Sequence, residues 1–262
     1  MERPKEMIFA EERQSQIMKL LRKEGKVFVP QLCERFGVTS VTIRNDLNEL
    51  ENRGLLKRTH GGAILITKTS FEQSIAQKQT RNMKQKDAIG KLAASFVEDG
   101  DTLAVDTGTT TMAFARHLVD KKNLTIVTND LAIAAFLEEE TDATVILIGG
   151  VVRKNHHCTI GALAVKCLDG LRVDKTFMAT NGLTVEGGLT TPDMNQAEVK
   201  RKLASIGSQI ILLCDSEKIG TDVFVKVMDA EEIDILITDD GVDKTDVERF
   251  VQLDIDVQIA ET

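Results

Sequence analysis

The stretch Thr39-Ser40-Val41-Thr42-Ile43-Arg44-Asn45-Asp46-Leu47-Asn48-Glu49-Leu50 decides how the N-terminal part of this chain folds. Thr39 or Ser40 is a good helix N-cap, because its hydroxyl can accept from an unsatisfied N–H of the first turn. Ile43, Leu47 and Leu50 then recur at helical spacing as one apolar stripe. A helix is expected to run to about Arg53 and to close at Gly54. At about 100° per residue, the opposite face holds Val41, Arg44, Asn45, Asn48 and Asn52. Arginine can grip guanine bidentately, asparagine can read adenine, and valine can touch a thymine methyl. Ser40 and Thr42, at the start of the same helix, join the candidates for DNA contact. Asp46 lies off that face and is expected to pair with a neighbouring cation or to cap a turn.

Working outward, residues 11–24 place Ile17, Met18, Leu20 and Leu21 at helical spacing, and Gly25 stops them. A short helix is expected from Pro30, a residue suited to a first turn, to Gly37, with Leu32 and Phe36 one turn apart. Helix, short glycine-containing turn and helix is the arrangement that puts a second helix in the major groove. After Gly54, Leu55-Leu56-Lys57-Arg58-Thr59-His60-Gly61-Gly62-Ala63-Ile64 reads as two short strands around a Gly-Gly turn. This is a wing, with Lys57, Arg58 and His60 suited to phosphate contacts. The bland alternative is a three-helix packing domain with a polar surface helix.

Residues 1–66 carry 12 Lys+Arg against 9 Asp+Glu, a net of +3, whereas the remaining 196 residues carry 21 against 32, a net of -11. A basic head on an acidic body hints at nucleic acid binding by the head, though charge alone does not choose. The 262 residues suggest about two domains. Trp and Tyr are absent, which weakens any reading based on stacking against splayed bases. No apolar run approaches a membrane span, and no secretory segment is recognised, so a cytoplasmic protein is expected. Cys33, Cys158, Cys167 and Cys214 form no CxxC pair and are expected to be free, buried thiols. His156-His157-Cys158 lacks a second ligand set, so these are read as loop residues and no metal or cofactor is expected.

Residues 67–86 are polar and read as a linker running into a connecting helix. A helical stretch from about 84 to 97 follows, with Ile89, Leu92, Ala93 and Phe96 on one face. Short apolar runs then recur at 102–106, 124–128, 144–148, 175–179, 210–214, 233–238 and 255–259, with helical patterns at 111–119, 131–138 and 197–206. Such alternation argues for an α/β domain with a largely parallel sheet, whose ligands bind beyond the carboxyl ends of the strands. The best candidate follows the first run. Asp106 ends a strand, and Thr107-Gly108-Thr109-Thr110-Thr111 opens a helix, so backbone N–H groups and hydroxyls can meet an anion while Asp106 accepts from sugar hydroxyls. The stretch is neither a P-loop nor a GxGxxG fingerprint, and an ordinary capped turn remains the alternative. Asn129, Asn181, Asp215 and Lys218 add polar groups at other strand ends. Glu198 and Lys202, four apart on a helix, are either a surface ion pair or part of the same pocket.

Two sets of motifs carry a family resemblance. Arg13-x3-Ile17-x3-Leu21, followed after 17 residues by Thr39-Ser40-Val41-Thr42-Ile43-Arg44-Asn45-Asp46-Leu47, resembles the DeoR-type helix-turn-helix signature, and the wing Leu56–Ala63 resembles its next block. Asn45 stands where the family often has a second basic residue. In the body, Asp106-Thr107-Gly108-Thr109-Thr110, Val127-Thr128-Asn129, Gly149-Gly150-Val151-Val152-Arg153, Asn181-Gly182-Leu183, Gly188-Leu189-Thr190-Thr191-Pro192, Ala197-Glu198-Val199-Lys200 and Cys214-Asp215-Ser216-Glu217-Lys218 resemble the DeoR-type effector domain. The resemblance implies an α+β chain. A winged helix-turn-helix domain (1–66) and a linker or connecting helix (67–86) would precede a larger Rossmann-like α/β domain (87–262), similar to ribose-5-phosphate isomerase and CoA transferases.

It also implies a transcription factor, expected to repress a carbohydrate-metabolism operon, that answers to a phosphorylated sugar. Asp106, Gly108, Thr109, Thr110, Thr111, Asn129, Arg153, Asn181, Glu198, Lys202, Asp215 and Lys218 would surround the effector. The expected partners are double-stranded operator DNA and further copies of the chain, as dimer or tetramer, because one recognition helix reads too few bases. No catalytic residue and no membrane contact is expected. The alternative is a sugar-phosphate isomerase-like enzyme with an accessory head.

Overall fold

The structure, a computed structural model, describes residues 9–52, 55–65 and 72–262. The chain divides into two compact units, Met1–Lys68 and Thr69–Thr262. The expected helix stop at Gly54, the Asn52 side chain and residues 67–71 of the expected linker lie outside the described residues.

In the smaller unit, α1 (Ala10–Glu24) ends at Gly25, whose left-handed conformation lets its N–H reach back to the Leu21 carbonyl. Strand β1 (Lys26–Phe28) leads into α2 (Val29–Phe36), which has Pro30 in its first turn and a second left-handed stop at Gly37. Helix α3 (Ser40–Asn52) follows, its first turn held by Thr39, whose hydroxyl accepts from the Thr42 N–H at 3.2 Å. Strands β2 (Leu56–Thr59) and β3 (Gly62–Leu65) form the wing. The sheet order is β1-β3-β2, so a third strand, unread in the sequence, backs the hairpin. Gly62 is needed there, because a Cβ would meet the Val27 carbonyl at 1.9 Å. Ile17, Leu21, Ile43 and Leu47 are wholly buried, and each such burial contributes ~1.5–3 kcal/mol.

In the larger unit, α4 (Ile75–Gln79) and α5 (Met83–Ala94) precede β4 (Thr102–Val105), α6 (Thr109–Arg116), β5 (Thr125–Thr128), α7 (Leu131–Glu140) and β6 (Thr144–Leu147). A hairpin of β7 (Val151–Arg153) and β8 (Cys158–Ile160) and a short helix α8 (Ala162–Cys167) follow. Then come β9 (Val173–Ala179), β10 (Gly182–Thr184), β11 (Gly188–Thr191), α9 (Met194–Ile206), β12 (Gly207–Leu213), β13 (Val225–Met228), β14 (Ile235–Asp239), α10 (Lys244–Val251) and β15 (Asp256–Ala260). Seven strands form one parallel sheet in the order β15-β14-β12-β9-β4-β5-β6. They are the seven apolar runs of the sequence. The short strands β10, β11 and β13 form a separate antiparallel sheet.

Helices cover both faces of the main sheet. On one, α5, α6 and α7 bury Ile89, Phe114, Leu118, Ile133 and Leu137, and Phe114 stacks on Phe177 with centroids 4.1 Å apart. Gly90 lets α5 approach α6, since a Cβ there would lie 2.6 Å from the Phe114 nitrogen. On the other face, α8, α9 and the small sheet bury Leu168, Leu203, Leu183 and Leu189.

The strand order fixes where a ligand can enter. From β4 the chain adds β5 and β6 on one side, then returns to lay β9 against the free edge of β4 and builds outward through β12, β14 and β15. The carboxyl ends of β4 and β9 therefore diverge at a topological switch point, where the crevice of an open parallel sheet lies. Among the described residues no helix is long and apolar enough to cross a membrane.

Candidate nucleic-acid interface and effector site

On α3, Ser40, Val41, Arg44, Asn45 and Asn48 are exposed, Val41 at 64%, although valine usually seeks the interior. Thr42 is half-buried and its hydroxyl bonds that of Thr39 at 3.0 Å. Lys57 and His60 are exposed on the wing. Arg58 is turned toward α3: its guanidinium donates to Asn48 Oδ1 and its backbone N–H to Glu51 Oε1. The wing and the helix thus present one surface, and Asn48 and Arg58 act as a pair. Asp46 is buried, and Arg13 Nε and Nη2 donate to it at 2.6 and 3.1 Å, tying α1 to α3. The Asp46 hydrogen bond holds the Arg13 pKa above its ordinary value.

In the larger unit, the switch point is built around Asp106. Its backbone N–H continues the sheet to the Phe177 carbonyl at 3.0 Å. Its wholly buried carboxylate accepts from Lys200 Nζ and from the Ala179 N–H, both through Oδ2. Lys200 also donates to the Ala179 carbonyl at 2.8 Å. Asp106 is thus committed to Lys200 rather than presented to a sugar hydroxyl through both oxygens. Its Oδ1 is buried without a hydrogen-bond partner, and so are Thr110 Oγ1 and Asn129 Oδ1. Gly108 caps α6, Thr109 is half-buried, and Thr111 Oγ1 donates to the Gly108 carbonyl at 3.0 Å. Asn129 donates to the Thr159 carbonyl at 3.0 Å. Next to it, Asp130 accepts from Thr107 and caps α7, while burial raises its pKa against those hydrogen bonds.

Cations gather around this crevice. Arg153 Nη1 lies 2.7 Å from Glu72 Oε2 and donates to Gln196 at 2.8 Å, and its Nη2 is 3.5 Å from Asp193. Glu72 Oε1 accepts from Lys78 Nζ at 2.5 Å and Asn181 Nδ2 at 3.2 Å, and the His156 ring nitrogen is 3.8 Å away. Burial opposes the charge on Glu72, but Lys78, Arg153 and His156 together bring its pKa down to about 2. Burial lowers the Lys78 pKa, which Glu72 partly offsets. Asp215, also buried, accepts from Asn82 at 3.2 Å and lies 3.2 Å from Lys218. Burial works against that charge too, and Lys218 with Lys86 outweighs it, so the Asp215 pKa is lowered. Lys86 donates to the Lys78 and Arg81 carbonyls, and burial lowers its pKa to about 8.

The structure therefore brings together Asp106, Gly108, Thr109, Thr110, Thr111, Asn129, Arg153, Asn181, Asp215 and Lys218. It separates two residues from them. Glu198 is exposed and Lys202 pairs with Asp169 at 2.7 Å, both in a groove between α8 and α9. The inward cation of that helix is Lys200, two residues from each and so on the opposite side of α9, a residue not expected at the site from the sequence. Residues 72–86, expected as linker, lie in the larger unit and supply Glu72, Lys78, Arg81, Asn82 and Lys86 to the site. His156, dismissed as a loop residue, faces Glu72. Cys167, expected buried, is exposed, Cys33 is half-buried, and Cys158 and Cys214 are buried free thiols, burial raising the Cys158 pKa to about 11.

A groove-reading helix with a wing, joined in one chain to a polar crevice at a sheet switch point, defines a ligand-responsive DNA-binding regulator. Residues 13–69 match the DeoR-like helix-turn-helix domain and residues 81–240 match the DeoR C terminal sensor domain. The HTH-type transcriptional regulator GolR of Listeria innocua is 35% identical over 254 residues, 97% of this chain and 100% of that protein. The HTH-type transcriptional repressor GlcR of Bacillus subtilis is 34% identical over 232 residues, 88% and 89% of the two chains. The chain belongs to the DeoR family of transcriptional regulators. A ribose 5-phosphate isomerase from Methanocaldococcus jannaschii is similar over 53% of this chain and 55% of its own, at TM-score 0.39 and 16% identity.

Proposed function

We propose that this regulator represses a carbohydrate-metabolism operon in the cytoplasm and is relieved by a phosphorylated sugar bound at the β4–β9 crevice. The observation that carries this reading is the set of cationic donors in the crevice. Lys78, Lys86, Arg153, Lys200 and Lys218 converge on it, paired with Glu72, Asp106 and Asp215. Ammonium and guanidinium donors held in one place suit an anionic ligand that can compete with those carboxylates. The unpartnered Asp106 Oδ1, Thr110 Oγ1 and Asn129 Oδ1 are suited to the hydroxyls of a polyol. The name of the similar repressor GlcR supports the repressor role.

In the head, Val41, Arg44, Asn45 and the Asn48–Arg58 pair would read bases, with Ser40, Thr42, Lys57 and His60 on phosphates. Two or four copies would bind a palindromic or repeated operator. The ligand favours an arrangement that misplaces paired heads, which requires different affinity for the two arrangements. A mobility-shift titration tests this, on DNA upstream of the chain's own operon, at fixed salt, with a panel of sugar phosphates. A specific shift reversed by one ester is expected. A specific shift that no phosphate ester alters rejects the effector class.

A further inference from the structure

Glu72 faces three basic side chains, Lys78, Arg153 and His156, and these partners suit another ligand as well. Its side chain is 5% exposed. One oxygen accepts from an ammonium and an amide N–H, with an imidazole nitrogen beyond; the other lies 2.7 Å from a guanidinium nitrogen without accepting a hydrogen bond. Ammonium, guanidinium and amide donors in one cluster are the set that phosphate recognition uses. A carboxylate brings one negative charge to them, whereas a phosphate monoester brings about 1.5 to 2 at pH 7 and three acceptor oxygens.

We propose that Lys78, Arg153, Asn181 and His156 form the phosphate subsite of the crevice, and that Glu72 occupies it as a built-in carboxylate which an entering phosphate ester displaces. This rests on the reading of the crevice as a sugar-phosphate site. Glu72 lies just ahead of α4, whose Lys78 belongs to the subsite, whose Ile75 is buried and whose Lys78 carbonyl accepts from Lys86, so α4 stays in place while Glu72 turns out of the subsite. Glu72 follows closely on Lys68, where the smaller unit ends.

The test is a calorimetric titration of the full chain and of Glu72→Gln with inorganic phosphate and with aldose and ketose phosphates, beside hydrogen exchange of residues 72–79 in the wild type. If Glu72 occupies the subsite about nine-tenths of the time, its removal tightens phosphate about tenfold. Amides of 72–74 then exchange faster in wild type when phosphate is bound, while those of 75–79, on the helix that Lys78 anchors, do not. Wild-type binding that is no tighter in Glu72→Gln, or exchange of 72–74 that is unchanged or slowed, overturns the displacement and leaves the sugar-phosphate site standing. Should Glu72→Gln not fold, the wild-type exchange result decides alone. Absence of binding by both proteins overturns the site and the displacement together.

Discussion

Among the described residues, each unit has an ion pair with both side chains nearly wholly buried, Arg13–Asp46 in the head and Lys200–Asp106 in the body, and the two are satisfied differently. In the head, Asp46 Oδ2 takes Arg13 Nε, and Oδ1 takes Arg13 Nη2 and Gln14 Nε2. Both oxygens are used, and the pair locks α1 onto the recognition helix. In the body, Asp106 places both of its partners, Lys200 and the Ala179 N–H, on Oδ2 and leaves Oδ1 bare beside two other unpartnered polar atoms. A buried group without a hydrogen bond costs about 1–3 kcal/mol. A fold that only needed to hold its sheet together would gain by replacing it. The head uses its buried charge for orientation, and the body holds part of its own in reserve at the switch point.

The largest expected effects break the pairs themselves. Lys200→Met leaves a wholly buried carboxylate uncompensated and is expected to destabilise the larger unit by ~3–5 kcal/mol. Arg13→Met should cost less, roughly 3 kcal/mol, because Gln14 still serves Asp46. Denaturant unfolding followed by far-UV circular dichroism measures both, since the chain has no Trp or Tyr to report by fluorescence. In the body, adding Asp106→Asn to Lys200→Met should recover most of the loss. A double variant as unstable as Lys200→Met alone would show that the lysine matters for packing and not for charge.

A second test concerns the cations around Glu72. Its folded pKa of about 2 lies below the ordinary 4.5, so the folded state binds that proton less well than the unfolded chain. The stability Glu72 contributes is complete above about pH 4.5 and is lost as the pH falls toward 2, on the order of 2–3 kcal/mol in all. The stability gap between wild type and Glu72→Gln should therefore shrink between pH 5 and pH 3. A gap that holds constant with pH would mean that the carboxylate is not held by its cations.

The recognition face is expected to respond in affinity rather than stability. Arg44 is exposed and makes no fold-holding contact comparable to that of Arg13, so Arg44→Ala should weaken specific operator binding by ~1–3 kcal/mol with unchanged unfolding. Lys57→Ala should instead weaken binding to all sequences and reduce the salt slope by about one. Equal losses on specific and random DNA for Arg44→Ala would move it from base reading to phosphate contact.

Much of this was legible in the sequence, and the misses share a cause. The inner strands of the sheet are short apolar runs, as strands buried on both faces should be, while β6 and β15 at its edges are largely exposed, and the helices of the head carry clear stripes and glycine stops. Strands β1, β7, β8 and β10 have three residues, too few for a period to show, and the four-residue β11 and β13 carry no continuous apolar run. At the site, strand ends announced Asp106, Asn129, Asn181 and Asp215. Lys200 and Lys86 did not announce themselves, because a lysine in a helix reads as solvent-facing. Yet Lys200 falls in the stripe of Ala197, Leu203 and Ala204, and Lys86 in that of Ile89 and Ala93. A cation at a core position of an amphipathic helix is a signal of its own, and Glu198 and Lys202, off that stripe, were the weaker choice. Glu72 and Lys78 had no such signal, since only tertiary packing brings residues 72–79 to the crevice.

The smallest expected change in stability is the most discriminating for the comparison. Thr110 Oγ1 is buried with no partner in the protein, so Thr110→Val removes a desolvated hydroxyl and keeps the shape of the side chain. Stability should stay level or rise by up to about 1 kcal/mol. If the hydroxyl is held for a ligand, the same substitution should weaken the sugar phosphate that reverses the operator shift by about tenfold or less, as loss of one neutral hydrogen bond allows. The paired measurement is the unfolding midpoint and the ester concentration at half reversal. A clear loss of stability would show that Thr110 has a partner within the fold. Unchanged stability with unchanged reversal would make the bare hydroxyl a tolerated defect, like the unpartnered Gln14 Oε1 beside the buried pair of the head.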